Sequence, residues 1–172
     1  LNGETVTGTT IFILDEQVDH GPVLMQKELY IDPTDTFTSL AQKLAELSAS
    51  LLINLLPQYE AGVINPAEQN HASATLTKLI KKEHGRVDWT KSAEEIVNQL
   101  RAFTPWPGIW TTVHNGPIIK ILKAEEVKFP EESVLRESVA CGNGTYLHLI
   151  EVQPAGKNPM PMRDFLNGQK DF

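Results

Sequence analysis

The sequence predicts a two-part mixed chain, an α/β piece followed by a small, closed or partly closed antiparallel barrel. Three observations carry this. Two short β-branched and aliphatic runs, residues 9–14 and 23–26, flank an acidic turn, and both are too short for helices. A leucine stripe then recurs at steps of three and four, which is one apolar face of a helix. Beyond Ile109 the pattern changes to short apolar runs separated by Gly, Asn and Pro, the spacing of strands joined by tight turns.

Charge divides the chain in the same way. Residues 1–64 carry nine acids against Lys27 and Lys43, while residues 65–172 carry thirteen acids and thirteen bases, an asymmetry that supports two regions of different character. A chain of net charge −7 is a poor non-specific binder of nucleic acid, so any RNA contact has to come from a local patch. At 41% hydrophobic and 22% charged residues the composition is that of a globular protein. No apolar run approaches the roughly 20 residues of a membrane span. The single Cys141 forms no internal disulfide, sits at a turn in a structural role, and suits a reducing cytoplasm.

Taken in order, residues 1–8 are polar and read as a loop into the first strand, residues 9–14. The second strand, 23–26, extends through 27–31 until Asp32-Pro33-Thr34-Asp35-Thr36 breaks it. Asp35 or Thr36 is then a good N-cap. Phe37, Leu40, Leu44, Leu47, Leu51 and Leu55 form the core-facing stripe of the helix that packs on the strands. Pro57 bends or ends that helix, and Gly62 closes the segment. Residues 63–77 lack periodicity and read as linker.

The run from Lys78 to Arg86 holds four bases against Glu83 and is the most basic stretch in the chain. By itself it is a solvated surface or a phosphate-binding patch. A second helix follows, capped by Thr90 or Ser92, with Glu94 and Glu95 in its first turn, where the helix dipole favours acids, and Ile96, Leu100 and Phe103 on one face. Pro105 and Pro107 end it. Trp106 and Trp110 read as core or barrel-rim residues, with base stacking as the alternative. Arg101, near the helix end, either meets phosphate or neutralises the dipole. Strands are expected at 109–113, 117–124, 133–139 and 146–154, with turns at His114-Asn115-Gly116 and 141–144. A loop at 156–161 and a short helix at 162–166 complete the chain.

The stretch richest in chemistry is Asp15-Glu16-Gln17-Val18-Asp19-His20-Gly21-Pro22, three carboxylates and a histidine between two strands. Such a loop is either an ordinary solvated turn, since Asp and Gly dominate turns, or a held catalytic loop. The five histidines are scattered without metal-ligand spacing, so no metal is expected.

Asp-Glu-x-x-Asp-x-Gly-Pro after an apolar strand, preceded by Thr7-Gly8-Thr9-Thr10, resembles the folate-dependent formyltransferase family. Leu79-Ile80-Lys81-Lys82-Glu83 with Gly85-Arg86-Val87-Asp88-Trp89 is similar to the junction between that family's two domains. Arg101-Ala102-Phe103-Thr104-Pro105-Trp106-Pro107-Gly108, Gln153-Pro154-Ala155-Gly156-Lys157 and Asp164-Phe165-Leu166-Asn167-Gly168 resemble the C-terminal domain of its methionyl-tRNA branch. The resemblance implies the C-terminal part of a Rossmann-like formyltransferase domain over 1–64, a linker over 65–83, and an OB-like, tRNA-binding β-barrel over 84–172. It makes Asp19 the catalytic aspartate and places the folate pterin against the loop at Asp15, Glu16 and Val18. It makes Lys82 a lysine near the tRNA end, with Lys78, Lys81, Arg86, Arg101 and Lys157 as further tRNA contacts.

The implied reaction moves a formyl group from 10-formyltetrahydrofolate to the α-amine of initiator Met-tRNA, in a cytoplasmic monomer without metal. The family's remaining catalytic residues, in an Asn-x-His segment, are expected upstream of Leu1, because no Asn-x-His occurs in the 172 residues. The run Asn54-Leu55-Leu56-Pro57 echoes the sequence after that segment only by coincidence. The chain by itself is therefore expected to be inactive. Two other readings remain: a sugar-nucleotide or other folate-dependent formyltransferase, and a non-catalytic tRNA-binding module.

Overall fold

The computed structural model of the chain describes residues 1–112, 116–132 and 134–168. It divides into two compact units, Glu4–Leu79 and a second made of Leu1–Gly3 with Ile80–Phe172.

In the first unit, β1 (Val6–Phe12) and β2 (Val23–Tyr30) form an antiparallel pair, with Val6 opposite Tyr30 and Ile11 opposite Met25. β1 starts earlier than its apolar run suggests, because β2 continues to Tyr30 and supplies ladder partners for Val6, Thr7 and Gly8. Helix α1 (Phe37–Glu60) is capped by Thr36, whose hydroxyl accepts from Ser39 N while Ser39 Oγ accepts from Thr36 N. This reciprocal pair satisfies two otherwise orphaned N–H groups.

Just before the cap, Asp35 is almost fully buried. Lys43 Nζ reaches its two oxygens at 2.7 and 2.8 Å, and Ser39 Oγ and Asp32 N also donate to it. Chiefly the Lys43 bond, then that of Ser39, holds its carboxyl down to about 2. The leucine stripe faces inward at Leu51 and Leu55, half-buried at Leu40, Leu44 and Leu47. Phe37, expected to join it, is 60% exposed; it stands on the first turn, at the end of the helix. Thr9 Oγ1 and Ser48 Oγ, 2.5 Å apart, tie β1 to α1. Pro57 does not end the helix, which runs on to Glu60 and closes through Ala61 N to Pro57 O, with Gly62 just beyond at φ 69°. Residues 54–57 accordingly lie inside α1, with Leu55 buried. The stretch read as linker is partly tied down: Ala67 exchanges backbone bonds with Val23 at 2.7 and 2.8 Å.

The second unit opens with a 3-10 turn, Lys82–Gly85, and helix α2 (Ala93–Phe103), capped by Ser92 and Glu95. Its strands are β3 (Ile109–Thr112), β4 (Ile118–Val127), β5 (Ser138–Ala140), β6 (Tyr146–Pro154) and β7 (Met160–Pro161). All pair antiparallel in the order β3-β4-β6-β5, with β7 also against β6. Register shifts on both sides of Lys123 raise the local twist, and the sheet curls as a half-barrel. Helix α3 (Met162–Asn167) follows. The expected turn at His114-Asn115 and the strand ends at Val113 and Ser133 lie outside the described residues.

Alternation along the strands sends Ile109, Ile119, Ile121, Leu147, Leu149 and Val152 to one face. There they pack with Ile96, Leu100 and Phe103 of α2 and Met162, Phe165 and Leu166 of α3. Cys141 is half-buried, with Sγ 3.4 Å from Val139 O, and burial pushes its thiol up. Among the described residues no helix is long and apolar enough to cross a membrane.

Candidate functional site

The acidic loop sits between β1 and β2. Ile13 N donates to Pro22 O at 2.9 Å, closing its base. Gly21 is buried there, and a Cβ on it would fall 1.7 Å from Ile13 O, so no other residue fits without opening the loop. Inside, Asp15 accepts from Gln17 N at 2.9 Å and lies 2.7 Å from His20 Nδ1. The His20 contact first, then the Gln17 bond, lowers the Asp15 carboxyl below its ordinary value.

Two residues from the stretch read as linker clamp this loop. Gln69 Nε2 donates to the carbonyls of Asp19 (3.1 Å) and Gly21 (2.7 Å). The His71 ring stacks on His20, with centroids 3.7 Å apart and planes within 5°. Some 50 residues separate these partners, and no local pattern in the sequence announces them.

Asp19 itself adopts φ 52°, the left-handed region that Asp tolerates better than most residues. Its backbone is thereby fixed while its side chain stays exposed, and among the described residues its carboxylate makes no hydrogen bond or ion pair. Glu16 and Val18 are exposed beside it, Val18 at 91%. The loop thus offers a carboxylate unspent on internal bonds, next to an apolar side chain. Asp15, by contrast, is committed to holding the loop's shape.

The basic residues divide between the units. Lys78 belongs to the first; Lys81, Lys82, Arg86, Arg101 and Lys157 belong to the second. Arg101 Nη2 donates to Asn98 Oδ1 at 2.6 Å on α2. A groove of about 760 Å³ lies in the second unit beside Lys82, with Arg86 and Lys157 outside its lining. Lys82 lines it, and its carbonyl accepts from Trp110 Nε1 at 3.3 Å. The Arg86 guanidinium stands 6.0 Å over the Trp110 ring. The Lys157 carbonyl accepts from Gln153 Nε2 at 3.0 Å.

The 3-10 turn carrying Lys82 and Gly85 is pressed against the turn carrying Trp106: a Cβ on Gly85 would fall 2.2 Å from Gly108 O. Trp106 and Trp110 are not core. Trp106 is 61% exposed, and Trp110 is half-buried with its ring on the groove. Lys120, also on the groove, has no counterpart in the sequence reading. The signal was present, since Ile119 and Ile121 alternate inward and leave Lys120 on the other face. Among the described residues no group of three or more His, Cys, Asp or Glu is placed to hold a metal.

Comparison with known proteins fits these features. Residues 79–170 match the family model described as formyl transferase, C-terminal domain, and residues 1–56 match that described as formyl transferase. The methionyl-tRNA formyltransferase of Koribacter versatilis is 44% identical over 98% of the chain and 55% of its own length. That of Myxococcus xanthus is 40% identical over 98% and 56%. The chain therefore spans about half the length of the curated relatives it matches.

Among solved structures, an N-formyltransferase from Helicobacter canadensis in complex with folinic acid and dTDP-3-aminofucose superposes with TM-score 0.68 at 20% identity, covering 89% of this chain and 57% of that one. HypX from Aquifex aeolicus in complex with tetrahydrofolic acid gives 0.63 at 20%, covering 95% and 30%. At that identity the likeness speaks for the fold alone. With its C-terminal unit matched almost end to end and its acidic loop inside the other matched segment, the chain belongs to the formyl transferase family.

Proposed function

We propose that the chain is the C-terminal portion of a methionyl-tRNA formyltransferase, in which Asp19 handles the proton of the attacking amine. The observation that carries this reading is the 44% identity to such an enzyme over 98% of the chain, a span that includes the exposed Asp19 carboxylate. The boundaries that go with it are a Rossmann-like catalytic part over 1–64, a linker over 65–83 and an OB-like domain over 84–172.

The folate co-substrate would lie against the loop. An exposed Val18 beside carboxylates suits a flat heterocycle that carries N–H donors, so the residues fit the pterin, with Asp15, Glu16, Val18 and nearby backbone groups as its contacts. When bound, 10-formyltetrahydrofolate supplies the electrophilic formyl carbon. Asp19 orients an incoming imidazole or water, accepts the proton released as the methionyl α-amine bonds to the formyl carbon, and returns it to the folate nitrogen that departs when its bond to that carbon breaks. The Gln69 and His71 clamps keep its backbone in place, so that little reorganisation is needed as charge develops. Lys78, Lys81, Lys82, Arg86, Arg101 and Lys157 would neutralise tRNA phosphates, giving salt-sensitive affinity.

The 172 residues contain no Asn-x-His and hence lack the family's oxyanion donors, so by themselves they do not catalyse. The test is formylation of initiator Met-tRNA by the 172-residue chain, beside the same chain joined to an N-terminal segment that carries Asn-x-His. Activity of the joined chain alone is expected. Formylation of an amino-sugar nucleotide in preference to Met-tRNA would overturn the substrate assignment. Activity in neither, with tRNA still bound, would make the chain a binding module.

A further inference from the structure

The sheet of the second unit carries a row of side chains on its outer face that neither the proposed catalysis nor the core uses. Trp110 on β3 is paired with Lys120 on β4, and Lys120 with Gln153 on β6. One register step away, the buried row Ile109, Ile121 and Val152 fills the opposite face. The outer row forms the floor of the 760 Å³ groove, Lys82 stands on its wall, and Trp106 projects from the turn that Gly108 N closes onto Phe103 O at 2.8 Å. Gln153 is braced by Lys157 and Trp110 by Lys82, so the floor is set before any ligand arrives. Among the described residues Lys82 and Lys120 enter no ion pair.

We propose that this groove holds one unpaired nucleotide of an RNA strand, its base stacked on the exposed Trp106 indole and its phosphate between Lys82 and Lys120. An exposed indole is costly to leave in water and gives any base a sequence-tolerant π-face. Lysines free of carboxylate partners supply the matching charge, and the Gln153 amide supplies a polar group for a base edge. Glu83 is the groove's one acid, so the surface favours an anion over a neutral or basic peptide. A duplex does not fit the scheme, because its bases are already stacked and its edges recessed. The inference rests on RNA being the substrate, and it adds that the second unit senses an unpaired residue rather than phosphate charge alone.

The experiment titrates the 172-residue chain with a fluorescein-labelled, mixed-sequence RNA hexamer and with a blunt RNA duplex of the same number of phosphates per strand. The hexamer should bind more tightly and quench tryptophan emission. Trp106→Ala should weaken hexamer binding about tenfold, the scale of one base–aromatic stack, while leaving the duplex unchanged. Trp106→Phe should retain most of the affinity. Lys120→Gln should lower the slope of log affinity against log salt by about one unit. Trp106 is mostly exposed, so far-UV circular dichroism of its variants should match the parent.

Equal binding of hexamer and duplex, or a Trp106→Ala chain that binds both as before, would overturn the proposal. So would Trp106-dependent capture of a proline-rich decapeptide by a chain that ignores the hexamer. Formylation of Met-tRNA by the joined chain with Trp106→Ala at full efficiency would sink the groove and spare the proposed function. Trp106-dependent hexamer binding by a joined chain that formylates nothing would do the reverse.

Discussion

Among the described residues the second unit buries fourteen apolar side chains about one curled sheet. In the first unit, among the described residues, the buried apolar side chains are Leu51 and Leu55, while Leu52, Ile53, Leu56 and Tyr59 of the same helix stand exposed. The unit with the thin core carries the acidic loop, and the unit with the full core carries the aromatic and basic groove. Each fully buried aliphatic side chain contributes roughly 1.5–3 kcal/mol, so stability is concentrated away from the acidic loop. The acidic loop depends instead on specific polar contacts: Gln69 to two carbonyls, His20 to Asp15, and Gly21 against Ile13.

The comparison predicts its largest effect at Asp19. In a chain joined to an Asn-x-His segment, Asp19→Asn should lower kcat for Met-tRNA formylation by about 10²–10⁴-fold, the usual worth of a positioned acid–base group. The thermal midpoint should barely move, because the carboxylate is exposed and makes no internal bond. A loss of stability to match the loss of rate would mean that Asp19 is a structural loop residue and would erase the division of labour.

Next in size is the core of the second unit. Ile96→Ala, at a fully buried position on α2, should cost about 2–5 kcal/mol. Two probes separate the units: all three tryptophans, Trp89, Trp106 and Trp110, lie in the second, whereas the 24-residue α1 of the first outweighs the 11 and 6 residues of α2 and α3 in the helical signal. In urea, circular dichroism at 222 nm should fall at a lower midpoint than tryptophan emission shifts, and Ile96→Ala should bring the two together. Coincident transitions in the parent would mean one cooperative body.

How far these features were legible in the sequence follows from how local their causes are. Thr36 as a cap, Ser92 with Glu95, and the inward alternation of β4 and β6 were written within a few residues of where they act. The passage of α1 through Pro57 was not, because a proline removes one donor but leaves its own carbonyl to accept from the next turn, as Ala61 N to Pro57 O shows. The full length of β4, to Val127, was likewise hidden. It continues because Tyr146, on a distant strand, pairs with it. Asp19, within an eight-residue motif, could be singled out from sequence. Its clamps Gln69 and His71, and the meeting of Trp106, Trp110, Lys120 and Gln153, depend on strand register and on contacts between distant segments, which no window of sequence contains.

A smaller effect is expected from Gly21→Ala. The added Cβ would sit 1.7 Å from Ile13 O, so the Ile13–Pro22 bond must open, at a cost of about 1–3 kcal/mol for an overpacked site. The circular dichroism midpoint should drop while tryptophan emission in urea is unmoved, since the strain is confined to the first unit. A shift in both probes would argue against independent units.

The smallest and most specific test uses acid. Asp35 has its carboxyl held down to about 2 by Lys43 and Ser39, against an unfolded value near 3.8. A carboxyl depressed on folding contributes its stability in full above the unfolded value and loses it as pH falls through the folded one. The difference in urea midpoint between the parent and Asp35→Asn, read by circular dichroism, should therefore be constant above about pH 5 and close steadily between about pH 4 and pH 2. Asp15 and Asp32 are lowered in the same unit, so the Asp35→Asn variant should still lose helix signal over this range, but less steeply than the parent. Asp88 and Glu95 are lowered in the second unit, where the fourteen-residue core carries most of the stability, so tryptophan emission should respond later in the same titration. If both probes moved together, with no dependence on residue 35, the polar cap of α1 would not be what holds the thinly packed unit.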